Sequence, residues 1–385
     1  DQRVVLTGTG TFSFPTGVTE ARAVLISGGQ AGGDGEDGSA YASQSDTNYE
    51  DGGRSFYGSL TAGSRYSLRA DASASGGSAP AGTGGAGGLG GQPGKVLQID
   101  LTVTDGAVFA YSCGVGGTES LQEGTDTVFG DFTSADGDVP DTPYVDVITG
   151  ESFARRGVAG EDGGNGGNTG ERGEDLTLST GGYGISGEND SDSGNYGDST
   201  AFEGFLSITA KTSSWNASVS GAGGGGPGGQ ANGVAGENGQ NAAYRDGPFD
   251  ITLDESNANL TVFPPVGGKG GNGANAPAQD DTAYGSGGHG GGGGGGGGAI
   301  GSSRGSSSCS KSVEVLKSGT ITGSVPRVSC YASARVLTAR SSFGLGGKCS
   351  PGVNGCIILY FGVPHKIVSG PVRVKEDRVL LDKTG

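Results

Sequence analysis

The chain has little of what an ordinary globular domain uses to build a core. It has no methionine, one tryptophan and a hydrophobic fraction of 32% over 385 residues. Typical domains reach roughly 45–50% when glycine is included. No stretch approaches the 18 apolar residues of a membrane-spanning helix. These shortages exclude a transmembrane helix and an aliphatic core spread evenly along the chain.

Positive charge and cysteine are also scarce. The chain has 24 Lys and Arg against 41 Asp and Glu, a net charge of −17. Because such a polyanion is repelled by nucleic acid and by anionic lipid, we expect no nucleic-acid partner and no membrane insertion. The five widely spaced cysteines match no zinc pattern. We expect mostly free, buried thiols, with Cys349 and Cys356 as the most plausible bridge.

Glycine is abundant, with 86 residues, and several glycine blocks have a period of three. Collagen is excluded, because it needs glycine at about one third and proline above about 15%, and there are only 14 prolines. A three-residue period matches an extended helix without internal hydrogen bonds, which must find backbone partners in its neighbours. Flexible linkers are the alternative, but the period favours packed polyglycine II-type helices. The periodic glycines are Gly29, Gly32, Gly35, Gly38; Gly82, Gly85, Gly88, Gly91, Gly94; and Gly157, Gly160, Gly163, Gly166.

Strand-like segments lie between the glycine blocks, and no segment has a sustained period of 3.6 residues. The sequence therefore predicts an all-β protein with almost no α-helix. We expect a β-sandwich or jelly-roll-like body with one compact core, beside a glycine-rich helical bundle. The predicted strands cover 4–6, 11–15, 21–26, a hairpin of 55–60 with 65–68, 95–103, 107–113, 205–210, 249–253, 260–263, 313–316, 320–325, 327–337 and 356–361.

Three stretches resemble the glycine-rich domain of phage and prophage tail-fibre proteins. They are the opening from Thr11 to Gly29, the middle from Gly91 to Gly130, and the close at 351–360, which reads PGVNGCIILY. The resemblance spans about residues 1–361. The alternation of glycine blocks with variable segments is also similar to the polyglycine-helix tip adhesins of T-even-type phages. This chain departs from those adhesins in its β-rich opening and longer inserts.

The resemblance implies a glycine-rich β domain over 1–361 whose variable inserts bind a receptor. The inserts are 39–54, 130–156, 176–199, 241–250 and 274–284. Tyrosine in such loops offers a large contact area at low entropic cost, although it can equally cover a small core. Trp215 is either a binding anchor or a residue packed on a sheet. The candidate binding residues are Tyr183, Tyr196, Trp215, Tyr244 and Tyr284.

Signals for metal binding and catalysis are weak. The segment from Asp190 to Gly194 has alternating oxygen ligands, but the complete calcium loop is absent. Neither His289 nor His365 has an orienting partner nearby in the sequence. No GxxxxGK[ST] phosphate loop occurs. We therefore expect no metal, no cofactor and no enzymatic activity.

The expected function is that of a phage or prophage tail-fibre or tail-tip adhesin, on a virion or at a cell surface. Its partner would be a bacterial surface glycan or protein. One alternative is a prophage-derived bacterial surface or secreted protein that binds a host protein such as immunoglobulin. Another is a structural virion or appendage subunit, and homo-oligomers are compatible with each. Residues 362–385, which contain little glycine, would be a terminal tail or attachment segment.

Overall fold

The protein is all-β, with sheets that are mostly antiparallel. The structure is a computed structural model that describes residues 2–167, 176–180, 205–219, 221–230, 249–254, 257–264, 266–323, 325–362 and 374–375. In these ranges the only helical element is a 3-10 turn, Ser134–Asp136, whose N-terminal N–H is capped by Thr133. None of the described helices is long and apolar enough to cross a membrane.

The described residues form 22 strands. In chain order they are β1 Gln2–Leu6, β2 Thr9–Ser13, β3 Glu20–Ile26, β4 Ser45–Asp46, β5 Asn48–Ser55, β6 Gly58–Leu60, β7 Arg65–Gly76, β8 Val96–Thr102, β9 Val108–Ser112, β10 Val128–Phe129, β11 Phe132–Thr133, β12 Tyr144–Val145, β13 Ser152–Phe153, β14 Leu176–Thr180, β15 Leu206–Val219, β16 Phe249–Asp254, β17 Asn257–Val262, β18 Ser303–Val315, β19 Gly319–Ile321, β20 Arg327–Val336, β21 Cys356–Phe361 and β22 Val374–Lys375.

The first sheet pair joins the N-terminal strands to β21. One sheet has the order β1-β21-β3-β8-β22 and the other β11-β10-β9-β2. Aliphatic side chains of β3, β8 and β21 pack with aromatic residues such as Phe14 and Phe129 in one buried cluster. β21 is buried at every position, because the other face of its sheet is covered by residues around Tyr144 and Phe153.

The second sheet pair contains the longest strands. Its sheets have the orders β14-β15-β18-β7-β4 and β16-β17-β20-β5, with β17 and β20 parallel. Alternate residues of β7 and β18 are buried, and most of those on β7 are alanine. A separate hydrophobic cluster includes Leu260, Val313 and Val328. The apolar strands thus form cores on two sheet pairs, where the sequence predicted one.

Most predicted strands are confirmed, but the predicted hairpin of 55–60 with 65–68 is wrong. β6 pairs with β19, whereas β7 pairs with β18 and β4. Of the predicted tail, β22 pairs in parallel with Gln98 and Ile99 of β8, and residues 363–373 and 376–385 lie outside the described ranges.

Seven glycine-rich segments form a hydrogen-bonded array, here called the glycine array. Its central segment is 285–299, and the six outer segments are 29–39, 82–94, 155–167, 223–230, 267–276 and 342–353. Segments 29–39, 82–94 and 342–353 each connect a strand of one sheet pair to a strand of the other, and the central segment leads into β18.

Successive N–H groups of the central segment donate to three different outer segments. The same segment is reached again after three residues, so the donor pattern has the period seen in the sequence. Over one repeat the N···O distances are 3.0 Å from Gly291 to Gly33, 2.9 Å from Gly292 to Ala274 and 2.9 Å from Gly293 to Glu161.

The carbonyl groups of the central segment accept from the other three outer segments. Over the same repeat, N–H groups donate across 2.7 Å from Gly88 to Gly291, from Gly347 to Gly292 and from Gly229 to Gly293. The central segment therefore has six bonded neighbours.

Neighbouring outer segments also bond to each other, which closes a ring around the central segment. One bond from each contact is Gly33 to Leu89, Gly160 to Gly88, Gly164 to Pro227, Gly271 to Gly226, Gly273 to Leu345 and Gly35 to Gly347, written donor first. Within the ring the backbone groups are satisfied laterally, as buried peptide groups require.

This packing explains the glycine content. A Cβ added at Gly291, Gly292 or Gly293 would lie 2.1, 2.4 or 2.0 Å from a carbonyl oxygen of three different neighbours. Over this repeat the central segment therefore has no space for a side chain on any of its three faces. Outer segments need glycine only on packed faces, and an outward residue such as Leu89 is exposed.

Ser286 and His289 are the only non-glycine residues in 285–298. The N–H groups of Glu161, Gly164 and Gly167 donate to carbonyls of segment 223–230. Earlier in segment 155–167, the N–H of Arg155 donates to Ser286 Oγ at 3.1 Å and that of Val158 to His289 Nδ1 at 3.0 Å. The two side chains thus supply acceptors in place of a neighbouring backbone.

Candidate functional site

Three of the five predicted binding residues, Tyr183, Tyr196 and Tyr244, lie outside the described residues, as does the calcium candidate from Asp190 to Gly194. The structure places the other two, Trp215 and Tyr284, in different parts of the molecule, and does not bring them together.

Trp215 lies on β15 with its ring inside the second sheet pair. The residue is 3% exposed and belongs to the hydrophobic cluster of that pair. Its Nε1 is buried without a hydrogen-bond partner among the described residues. The structure thus matches the packing alternative for Trp215 and leaves no exposed ring to act as an anchor.

Tyr284 lies at the end of insert 274–284, directly before the central segment. Its ring stacks on Phe153, with the centroids 6.0 Å apart and the planes inclined by 21°. Its main-chain oxygen accepts the N–H of Ala154 at 2.8 Å. Burial, followed by the nearby thiols of Cys356 and Cys113, raises the pKa of the Tyr284 phenol. Insert 274–284 therefore meets insert 130–156 at this residue.

A cavity of about 480 Å³ opens beside Tyr284. Polar side chains of Gln279, Asp281 and Asn354 share its lining with the thiol-bearing Cys113. The Oδ1 atom of Asn354 accepts the N–H of Gly116 at 3.0 Å, and the Nε2 atom of Gln279 donates to Gly287 at 2.9 Å. Both amides are therefore held in place, while Asp281 is exposed.

The cavity combines residues that are far apart in the chain, so sequence reasoning did not assemble it. Asp281 and Gln279 fall inside the predicted insert 274–284. Asn354 belongs to the closing motif PGVNG, whose residues give no sequence signal of a binding site. That motif lies next to the insert because segment 342–353 and the central segment are hydrogen-bonded neighbours.

Insert 130–156 is fixed to the outer face of the first sheet by buried polar contacts. Arg3 Nε donates to Asp146 Oδ2 at 2.5 Å, and the hydroxyls of Tyr144 and Tyr360 are 3.1 Å apart. Burial alone would raise the pKa of Asp146, but N–H donors of Ile148 and Thr149 together with Arg3 lower it below its usual range.

The described parts of the other inserts do not join this group. Insert 39–54 supplies β4 and most of β5, which belong to the second sheet pair. Insert 176–199 is described only for β14, and insert 241–250 only for the start of β16. The described inserts are therefore divided between the two sheet pairs, and only 130–156 and 274–284 meet.

Most of the cysteines, and the one histidine that the structure describes, are buried. None of the five cysteines forms a disulfide, and all but Cys349 are buried, which confirms the expected thiols and shows no Cys349–Cys356 bridge. Burial raises the pKa of Cys113 to about 11 and lowers that of His289. No group of three or more metal-ligating side chains occurs within the described ranges.

Comparison of the chain with family models, with curated proteins and with solved structures gives no match.

Proposed function

We propose that this chain is a non-enzymatic binding protein, a tail-fibre or tail-tip adhesin of a phage or prophage. The observation that carries this proposal is the junction of inserts 130–156 and 274–284 beside the cavity at Tyr284. Variable loops held by a rigid scaffold are a common arrangement for recognition. The partner proposed here is a bacterial surface glycan or protein.

The scaffold in this proposal is a bundle of polyglycine II-type helices between two β-sandwich bodies. The three-residue period of the donors and acceptors supports this assignment, because that helix has three residues per turn and no internal hydrogen bonds. Six bonded neighbours hold the central segment on every side. Such a bundle keeps the insert next to Tyr284 in one position without a large aliphatic core.

The cavity is the proposed receptor subsite. Its volume of about 480 Å³ falls within the range of about 300–1,000 Å³ that small ligands occupy. The Tyr284 ring offers an apolar face, and Asp281 and Asn354 offer hydrogen-bonding groups at the rim. This combination suits a sugar unit, which presents both C–H faces and hydroxyl groups.

A binding assay on whole bacterial cells tests the proposal. The chain is incubated with a panel of bacterial strains and, separately, with host serum proteins, and retained protein is measured. The variants D281N and Y284A are compared with Y57A, because Tyr57 is 67% exposed and lies between β5 and β6, outside the lining of the cavity. We expect at least a tenfold loss of cell binding for D281N and Y284A, and none for Y57A.

Other outcomes separate the alternatives. Retention by serum proteins alone would favour the bacterial surface protein that binds a host protein. Retention by neither would contradict both binding functions and favour a structural subunit. Y284A also loses the stack on Phe153, so D281N, which keeps that stack, decides whether the cavity itself binds.

A further inference from the structure

Two cysteines face each other inside the second sheet pair. Cys309 lies on β18 and Cys330 on β20, which belong to different sheets. Buried and less buried positions alternate along β18, and the inward set of each strand includes its cysteine. Cys309 is 0% and Cys330 1% exposed. Both thiols therefore project into the space between the sheets.

The two residues are in direct contact. Cys330 Sγ donates to the main-chain oxygen of Cys309 at 3.3 Å. A hydrogen bond with the Cys309 side chain, followed by burial, raises the pKa of the Cys330 thiol far above its usual range. One thiol thus reaches the backbone of the facing strand at the residue that carries the other.

The sheets approach closely at this point. Facing sheets are usually about 10 Å apart, whereas a disulfide needs Cα atoms about 4.4–6.8 Å apart. Ser307, two residues from Cys309, donates its hydroxyl to the main-chain oxygen of Ser333 on the facing strand at 2.6 Å. Because a serine side chain is short, this bond requires closely spaced backbones. The small buried residues Ala332 and Ala334 permit that spacing.

We propose that Cys309 and Cys330 form a disulfide that links the two sheets when the chain folds in the presence of a small-molecule disulfide. One protein thiolate attacks the oxidant and releases one of its halves as a thiol, leaving a mixed disulfide. The second protein thiolate then attacks the protein sulfur and releases the other half. The two protons of the protein thiols end on the two released thiols, and two electrons pass to the oxidant.

The bond forms before the sheets close. The thiolate is the attacking species. In the folded protein both thiols are buried, and the pKa of the Cys330 thiol is raised, which favours its neutral form. An oxidant added after folding therefore reacts slowly. The proposal goes beyond the proposed function and does not depend on it.

No other pair of the five cysteines shares a hydrophobic cluster. Cys113 and Cys356 belong to clusters on opposite faces of the first sheet, and Cys349 lies in an outer glycine segment. This makes C113A/C356A a matched control for C309A/C330A, because each double variant removes two buried thiols.

The test is refolding of the full chain in mixed reduced and oxidised glutathione. Remaining thiols are then alkylated under denaturing conditions, and the tryptic peptides are identified by mass spectrometry. We expect peptides 305–311 and 328–335 to be joined by a disulfide, with the other three cysteines alkylated. The joined protein should have a higher Tm than the reduced protein.

The controls make the proposal falsifiable. C113A/C356A should retain the joined peptides, while C309A/C330A should lose both the joined peptides and the redox-dependent difference in Tm. Oxidant added to the folded chain should produce little bridging. If the refolded protein recovers its strand circular dichroism while Cys309 and Cys330 are alkylated as fully as Cys113, or are bonded to other cysteines, the proposal is wrong.

Discussion

Gly291 has no space for a methyl group. A Cβ added to this residue would lie 2.1 Å from the oxygen of Gly347, and that oxygen belongs to backbone that is itself bonded on several sides. We expect Gly291→Ala to lower the free energy of unfolding by about 3 kcal/mol or more, as severe overpacking does. Denaturant titration measures the change.

Gly77→Ala is the matched control for this substitution. At Gly77 the nearest atom to an added Cβ is the oxygen of Gln44 at 3.6 Å, an ordinary contact. We expect the free energy of unfolding to change by no more than about 1 kcal/mol, because alanine also restricts the unfolded chain. Equal effects of the two substitutions would contradict the packing described for the central segment.

His289 gives a second test at the residue scale. Replacing it with alanine removes the acceptor of the Val158 N–H, so we expect the free energy of unfolding to fall by about 1–3 kcal/mol. His289→Gln, which keeps an acceptor, should lose less. Urea titrations at neutral pH compare the two variants.

The same residue predicts a dependence of stability on pH. Burial lowers the pKa of His289 in the folded state, so the unfolded state binds the proton more strongly. The contribution of His289 is complete above its unfolded pKa of about 6.5 and decreases as the pH falls below that value. His289→Gln should remove this part of the pH profile, whereas an unchanged profile would show that the imidazole is not buried as a neutral acceptor.

At the scale of elements, the contact between insert 130–156 and the first sheet rests on a buried carboxylate. In Asp146→Asn, Arg3 keeps its ion pair with Glu151 at 3.0 Å but loses the ion pair with the Asp146 carboxylate at 2.5 Å. We expect the free energy of unfolding to fall by about 2–3 kcal/mol, somewhat less than when a fully buried ion pair is broken. Hydrogen exchange should increase at Ile148 and Thr149, whose N–H groups bond to Asp146.

A control variant and one contradicting result complete the Asp146→Asn experiment. Glu151→Gln, which changes the more exposed partner of Arg3, should have a much smaller effect. Unchanged exchange at Ile148 in Asp146→Asn would contradict the role given to the carboxylate.

Strands rich in large apolar residues could be predicted, but several long strands could not. β3, β8 and β21 carry valine, isoleucine and leucine, and their predicted bounds are within one residue of those observed. β7 and β18 are built largely of alanine, serine and glycine, which have low strand propensity. Only the ends with larger residues were predicted, and neighbouring strands stabilise the remainder.

The partners of a strand were harder to predict than its presence. The turn at Ala62 and Gly63 suggested a local hairpin, yet β6 pairs with β19, more than 250 residues away. Distant pairing also hid the cavity at Tyr284, since Asn354 reaches it only through the ring of outer segments. Trp215 shows the same limit, because a polar sequence context did not reveal that its strand has a buried face.

For the whole molecule, the glycine array is the structural link between two separately packed sheet pairs. Its interior has no side chains to bury over most of the central segment, and lateral peptide hydrogen bonds take the place of an aliphatic core there. The low hydrophobic fraction of the sequence is explained by this substitution of backbone contacts for apolar packing. The periodicity predicted side-by-side segments, but it did not reveal which six segments surround 285–299, because glycine blocks carry no side chains that specify a neighbour.

Residue-resolved amide hydrogen exchange by NMR tests this central claim most directly. We predict that the amides of 287–298, and those of Gly85, Gly88 and Gly91 that donate to the central segment, exchange as slowly as the amides of buried strands β18 and β21. Exchange of these glycine amides at the rate of an unstructured peptide, with the two sheet pairs still protected, would contradict the account and favour flexible linkers.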